Sequence, residues 1–297
     1  MQTNNLNFGT IVVATDLSSA ASTTLRYAQA IARLHGSTLV IVHVIDPVGY
    51  AFPAGAPDFA VADKAARDEL RRIEAEIREE GIQIHSVVET GVICERILQA
   101  VRDHDADLLV VGTGAKSKLG KVALGTVARQ LIARTPCPIL TVSPEADTHL
   151  PWPGGGWRRV LVATEFSPVS RFALSCAQQI VYEQLVVVHV ARCFDEGKCA
   201  NCRERLRFLA PFNESHTVPV DHVVVWGDAA DSIAEHANKL HADLVVLGAP
   251  VNELTPDEFH SSTVLQVISQ VSCPVLCVRS FSTTSQQEVV EEEGAYA

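Results

Sequence analysis

Basic residues are in deficit in this chain of 297 residues: 24 Lys and Arg stand against 35 Asp and Glu, a formal net charge of −11. A nucleic-acid partner needs a basic surface from which counterions are released, so that class is disfavoured. An anionic membrane surface is disfavoured for the same reason. Long apolar runs are also missing. Stretches such as Leu39–Val42 and Leu108–Val111 are far too short to span a bilayer. Met1 to Thr10 carries no basic segment followed by an apolar core, so no signal peptide is expected. The eight cysteines are scattered and form no disulfide framework, and the expected compartment is the cytoplasm. Catalytic signatures are lacking too: there is no Gly-x-Ser-x-Gly elbow, no His-Glu-x-x-His and no Gly-x4-Gly-Lys-(Ser/Thr) loop.

What the chain does have is an internal repeat. Ala106-Asp107-Leu108-Leu109-Val110-Val111-Gly112 returns as Ala242-Asp243-Leu244-Val245-Val246-Leu247-Gly248, displaced by 136. Cys137-Pro138-Ile139-Leu140 returns as Cys273-Pro274-Val275-Leu276 at the same offset, as does Gly91 as Gly227. Upstream, Val12-Val13-Ala14-Thr15-Asp16-Leu17-Ser18 matches Leu161-Val162-Ala163-Thr164-Glu165-Phe166-Ser167 at an offset of 149. The difference, 149 − 136 = 13, implies that the second copy has lost thirteen residues between its first and third strands. The expected division is a first domain over 1–144, a Pro- and Gly-rich linker over 145–157, a second domain over 158–281 and an acidic, disordered tail over 282–297.

Each copy alternates short apolar runs with amphipathic segments. In the first, strands are expected at Ile11–Ala14, Leu39–Val44, Ile84–Val88, Leu108–Val111 and Ile139–Val142. Ser18 or Ser19 is placed to cap the first helix, Gly36 to end it, and Ser167 with Pro168 to open its counterpart. The fold class is therefore α/β: two tandem doubly wound domains, each on a five-stranded parallel sheet. Ligands of such sheets sit at the carboxyl ends of the strands, where strand order reverses.

At that end the fourth strand runs into Gly112-Thr113-Gly114-Ala115-Lys116-Ser117-Lys118, and Gly125-Thr126 precede the next helix. Glycines let backbone amides approach a phosphate, and a helix start favours an anion. The plainer alternative is that these glycines only make a turn.

The spacing Gly112-x2-Ala115-x9-Gly125-Thr126 resembles the Gly-x2-Gly-x9-Gly-(Ser/Thr) motif of the universal stress protein family, with one glycine replaced by alanine. The Ala14-Thr15-Asp16-Leu17-Ser18 segment, His43-Val44 with Pro47, Ala106-Asp107 and Pro136-Cys137-Pro138 add to the resemblance, which covers both copies. It implies a Rossmann-like fold of the adenine nucleotide alpha hydrolase type and ATP or a related adenine nucleotide as ligand. By that resemblance Asp16 accepts hydrogen bonds from the ribose or the adenine amine, and the backbone of Val44 reads the adenine edge. Gly112, Ala115, Gly125 and Thr126 hold ribose and phosphates, with Gly114 beside Ala115. The same register in copy two gives Gly248-x2-Val251-x9-Ser261-Ser262, with Pro250, Glu253, Asp257 and Glu258 in the loop and Glu165 in place of Asp16. That site is read as degenerate. The resemblance also implies an intramolecular pseudo-dimer joined through the last strands, with a homodimer as a further possibility and the protein partners unnamed.

Copy two alone carries Cys193-x5-Cys199-x2-Cys202, expected in a polar loop. Three thiolates at that spacing suggest zinc, a redox dithiol, or free cysteines. The other five, Cys94, Cys137, Cys176, Cys273 and Cys277, read as small core residues. Three functions follow: a nucleotide-responsive stress protein, a nucleotide-independent scaffold organised by the cysteine loop, or a slow ATPase.

Overall fold

The computed structural model describes residues 8–47, 59–114, 124–147, 156–191, 196–211, 218–249 and 262–279. The first copy contributes β1 (Thr10–Ala14), α1 (Ala21–His35), β2 (Thr38–Ile45), α2 (Phe59–Glu79) and β3 (Gln83–Thr90). It continues with α3 (Ile93–Asp103), β4 (Leu108–Gly112), α4 (Thr126–Arg134) and β5 (Ile139–Val142). The second contributes β6 (Trp157–Ala163), α5 (Pro168–Ile180), β7 (Val181–Ala191), α6 (Glu196–Leu209) and β8 (Val220–Trp226). Then come α7 (Ala229–Leu240), β9 (Leu244–Gly248), α8 (Thr263–Gln270) and β10 (Val275–Val278). Trp157, expected in the linker, is the first residue of β6 and pairs with Val181. The lost residues shorten the crossover helix, from 21 residues in α2 to 14 in α6.

All ten strands form one sheet in the order β3-β2-β1-β4-β5-β10-β9-β6-β7-β8. Within each copy the pairing is parallel, and β5 meets β10 antiparallel. Leu140 faces Leu276, its own equivalent, while Ile139 faces Cys277 and Thr141 faces Val275. A pseudo-two-fold axis therefore passes between Leu140 and Leu276. The expected intramolecular pair is built this way, and the Thr141 hydroxyl donates to the Val275 carbonyl across it (3.2 Å).

Central strands such as β4 and β5 are buried on both faces, which is why they read as continuous apolar runs. On one face Ile11, Val13 and Leu140 pack under α1 and α2 through Tyr27, Ile31 and Leu70. On the other, Val12, Leu109 and Ile139 pack under α3 and α4 through Ile97, Leu98 and Leu131. Each fully buried aliphatic side chain of this kind contributes about 1.5–3 kcal/mol.

The Ala-Asp pair before each fourth strand has a mechanical reason. Asp107 Oδ2 accepts from the Thr10 amide (2.9 Å), and its equivalent Asp243 accepts from the Arg159 amide (2.8 Å). Each carboxylate ties the start of the fourth strand to the start of the first. Two of the expected helix ends are seen. Gly36 ends α1 at φ 67, and the Ser167 hydroxyl accepts from the Ser170 amide with Pro168 in the first turn.

Candidate functional site

Strand order reverses between β1 and β4 in the first copy, and a cavity of about 500 Å³ opens there at the carboxyl ends of the strands. Ala14, Thr15 and Asp16 line it from the exit of β1, and Gly112, Thr113 and Gly114 from the exit of β4. Val44 closes one side and Gly125 another, while Ile97 and Leu131 supply an apolar wall from α3 and α4. A cleft of this size, mostly apolar with a few convergent polar groups, matches an ordinary small-molecule site.

The exit of β1 is held by a strained turn. Leu17 sits at φ 60, an uncommon value for a bulky residue, with its amide donating to Thr15 Oγ1 (3.0 Å). His43 Nδ1 donates to the Thr15 carbonyl (2.9 Å). Beyond this turn Asp16 is solvent-exposed, and its Oδ1 accepts from the Ser18 amide (2.9 Å). Ser18 Oγ also accepts from the Ala21 amide (3.3 Å), so Ser18 serves the start of α1 although Ala20 occupies the cap position.

Val44 owes its availability to strand periodicity. The Val42 carbonyl accepts from the Thr15 amide on the β1 side, and the Ile45 carbonyl accepts from the Gly91 amide on the β3 side. Alternation by two turns the backbone groups of Val44 toward β1, which has already ended at Ala14. Gly114 adopts φ 101, a conformation glycine takes freely. Among the described residues a Cβ on Gly125 would meet nothing closer than the Thr113 carbonyl at 3.8 Å. Thr126 is the first residue of α4 and is exposed, beside Gly125 but outside the cavity lining. Ala115, Lys116 and Lys118 lie outside the described residues.

Copy two keeps the turn and differs at the strand exit. Phe166 repeats Leu17 at φ 67 with its amide on Thr164 Oγ1 (3.0 Å), and His189 repeats His43 on the Thr164 carbonyl (2.8 Å). These shared features therefore belong to the fold. The differences are local. Glu165 accepts from the Ser167 hydroxyl, and Ala249 replaces Thr113. Helix α5 begins at Pro168, equivalent to Ser19, whereas α1 begins two positions later at Ala21. That earlier start lays the first turn of α5 on the exit of β9, where a Cβ on Gly248 would come within 3.0 Å of the Ser170 nitrogen. Pro250, Val251, Glu253, Asp257, Glu258 and Ser261 lie outside the described residues. Ser262 caps α8 by accepting from the Leu265 amide.

One residue of the first site escaped sequence reasoning. Thr113 is buried, its amide donates to the Val142 carbonyl (3.0 Å) and its carbonyl accepts from the Gly125 amide (2.9 Å). Its hydroxyl has no partner among the described residues. The only available signal was a threonine between two glycines.

The cysteine segment needs correction. Glu196–Leu209 is helix α6, so Cys199 and Cys202 lie three apart on a helix and not in a loop. Arginines and lysine dilute the apolar periodicity there, which is why it read as polar loop. Cys202 is half-buried and packs against the core. Cys193 and the Cys199 side chain lie outside the described residues. Among the described residues no three His, Cys, Asp or Glu side chains are grouped to hold a metal. Cys94, Cys137, Cys176 and Cys277 are buried and Cys273 half-buried, as small core residues. Burial pushes the thiols of Cys176 and Cys277 up to about 12.

Two doubly wound α/β domains fused through their last strands, with a ligand-sized cleft at the switch point of the first, define the class of this protein. The sequence profile of the universal stress protein family matches residues 7–143 and again 156–279, and the chain belongs to that family as a tandem, two-domain member. A Thermus aquaticus relative, described as the universal stress protein in the QAH/OAS sulfhydrylase 3' region, is 33% identical over 142 residues, 46% of this chain and 98% of its own. The crystal structure of a universal stress protein from Archaeoglobus fulgidus DSM 4304 shares the fold along 93% of this chain and 98% of its own, with TM-score 0.73 and 20% identity. A universal stress protein from Archaeoglobus fulgidus solved in complex with dAMP is 25% identical, covers 45% of this chain and 97% of its own, and has TM-score 0.34. No helix among the described residues is long and apolar enough to cross a membrane.

Proposed function

We propose that the first copy binds an adenine nucleotide, ATP in the first instance, and that the chain acts as a nucleotide-responsive regulator or interaction protein in the stress response. The observation that carries this reading is the cavity at the β1/β4 switch point, edged by Gly112, Gly114 and Gly125. Asp16 Oδ1 is engaged by Ser18, which leaves Oδ2 for a ribose hydroxyl or the adenine amine. The backbone of Val44, facing the space beyond β1, offers one donor and one acceptor to the adenine edge. Phosphates would take the glycine-lined exit of β4 and the amino end of α4, where free amides favour an anion. Among the described residues no atom lies close to the missing Cβ of Gly125, which supports a ligand at that point.

Titration calorimetry with ATP, ADP, AMP and cAMP, with GTP as the control, tests the proposal. Adenine nucleotides should bind at least tenfold tighter than GTP and lose that affinity in Asp16→Ala. Absence of saturable adenine-nucleotide binding would overturn it. ATP turnover well above background and abolished in Asp16→Ala would favour a slow ATPase.

A further inference from the structure

A second cavity, of about 160 Å³, lies on the pseudo-two-fold axis between the copies. Its floor is four leucines, one from each central strand: Leu108 of β4, Leu140 of β5, Leu276 of β10 and Leu244 of β9. Leu108 and Leu140 are equivalent to Leu244 and Leu276 at the 136-residue offset. Ile31 of α1 and Ile180 of α5 line it as one equivalent pair, and Phe8 and Trp157 as another. Both of these pairs are equivalent at the 149-residue offset. The cavity has a geometric origin. On this face α1 and α5 are the helices that flank the seam, and the seam strands β5 and β10 fall between them.

Among the described residues the lining is apolar apart from His35 and Gln179, with Leu34 (39% exposed) beside them at the mouth. The His35 ring packs edge-on against Phe8 (5.1 Å), and burial pushes its pKa down, so the imidazole is neutral near pH 7. A charged ligand would forfeit its hydration here without a counter-charge. An apolar cavity of about 150 Å³ is large enough to hold benzene.

We infer that this seam cavity is a binding site for one small uncharged molecule with an apolar body of single-ring size, seated on both copies at once. It is separate from the nucleotide cleft, which opens at the carboxyl ends of β1 and β4, whereas Leu108 and Leu244 lie at the amino ends of their strands.

Fluorobenzene followed by fluorine NMR is the probe. Wild type should show saturable binding of one equivalent, with a dissociation constant on the order of 1 mM for a ligand this small. That binding should persist when AMP is present at saturation. Leu276→Phe, which fills the floor, and Leu34→Trp, which blocks the mouth at an exposed position, should each weaken it at least tenfold. Thermal melting of both variants establishes that they are folded, and Leu34→Trp serves if Leu276→Phe is not. No saturable binding, displacement by AMP, or unchanged affinity in a folded variant would overturn the inference.

Discussion

Gly248 at the exit of β9 lies directly against the amide nitrogen of Ser170 in the first turn of α5, so that a Cβ on the glycine would come within 3.0 Å of it. The equivalent Gly112 would meet only the Thr24 hydroxyl, at 3.1 Å. A helix starting two residues earlier thus brings backbone, in place of a side chain, against the strand exit.

The two glycines should respond differently to alanine. Gly248→Ala forces backbone against backbone and should cost about 1–3 kcal/mol, read from the urea denaturation midpoint. Gly112→Ala asks only a hydroxyl to move, so its stability cost should be smaller. Its main effect should be weaker adenine-nucleotide binding, measured by calorimetry.

Asp16 and Glu165 form a matched pair for a second test. Asp16→Ala should weaken adenine-nucleotide binding at least tenfold and leave the melting temperature nearly unchanged, because the side chain is exposed and makes one hydrogen bond. Glu165→Ala should leave the affinity unchanged.

Much of the fold was legible in the sequence. The 136-residue offset located β4, β5, β9 and β10, because strands buried on both faces must be continuously apolar. Asp107 and Asp243 marked the strand entries, and their bonds to the first strands now explain why an acid recurs there. The turns at Leu17 and Phe166 could not be read, since no glycine announces their positive φ. Helix α6 was missed because its sequence is polar and weakly periodic. The hydroxyl of Thr113 and the seam cavity depend on packing between distant segments, which no local pattern carries.

Arg279 links the copies in an unusual way. It is buried, it donates through one terminal nitrogen to the Ile132 carbonyl near the end of α4, and its Nε has no partner among the described residues. Burial also pushes its pKa below the ordinary arginine range. A cation at a helix C-terminus is favourable, but an incompletely paired buried charge is costly. Arg279→Met should therefore match or exceed the wild-type stability, whereas Arg279→Ala should lose about 2–3 kcal/mol through the cavity it leaves. Urea denaturation at pH 7 distinguishes the two.

Alkaline pH should unfold the protein through its buried thiols. Burial pushes Cys176 and Cys277 each up to about 12. An unfolded thiol ionises near about 8.5. A pKa raised in the folded state gives stability that is complete below the unfolded value and is lost as pH rises toward the folded one. Between about pH 9 and 12 each such thiol should remove about 1.4 kcal/mol per pH unit. Cys277→Ala should lower that slope by about one proton, read from denaturation midpoints across the range.

The central claim is that the duplicated fold carries one nucleotide site, in the first copy. Calorimetric stoichiometry with ATP on the full chain tests it most directly. The account predicts one equivalent, weakened at least tenfold by Asp16→Ala and unchanged in Glu165→Ala. Two equivalents, or a single one that survives Asp16→Ala and disappears in Glu165→Ala, would contradict it.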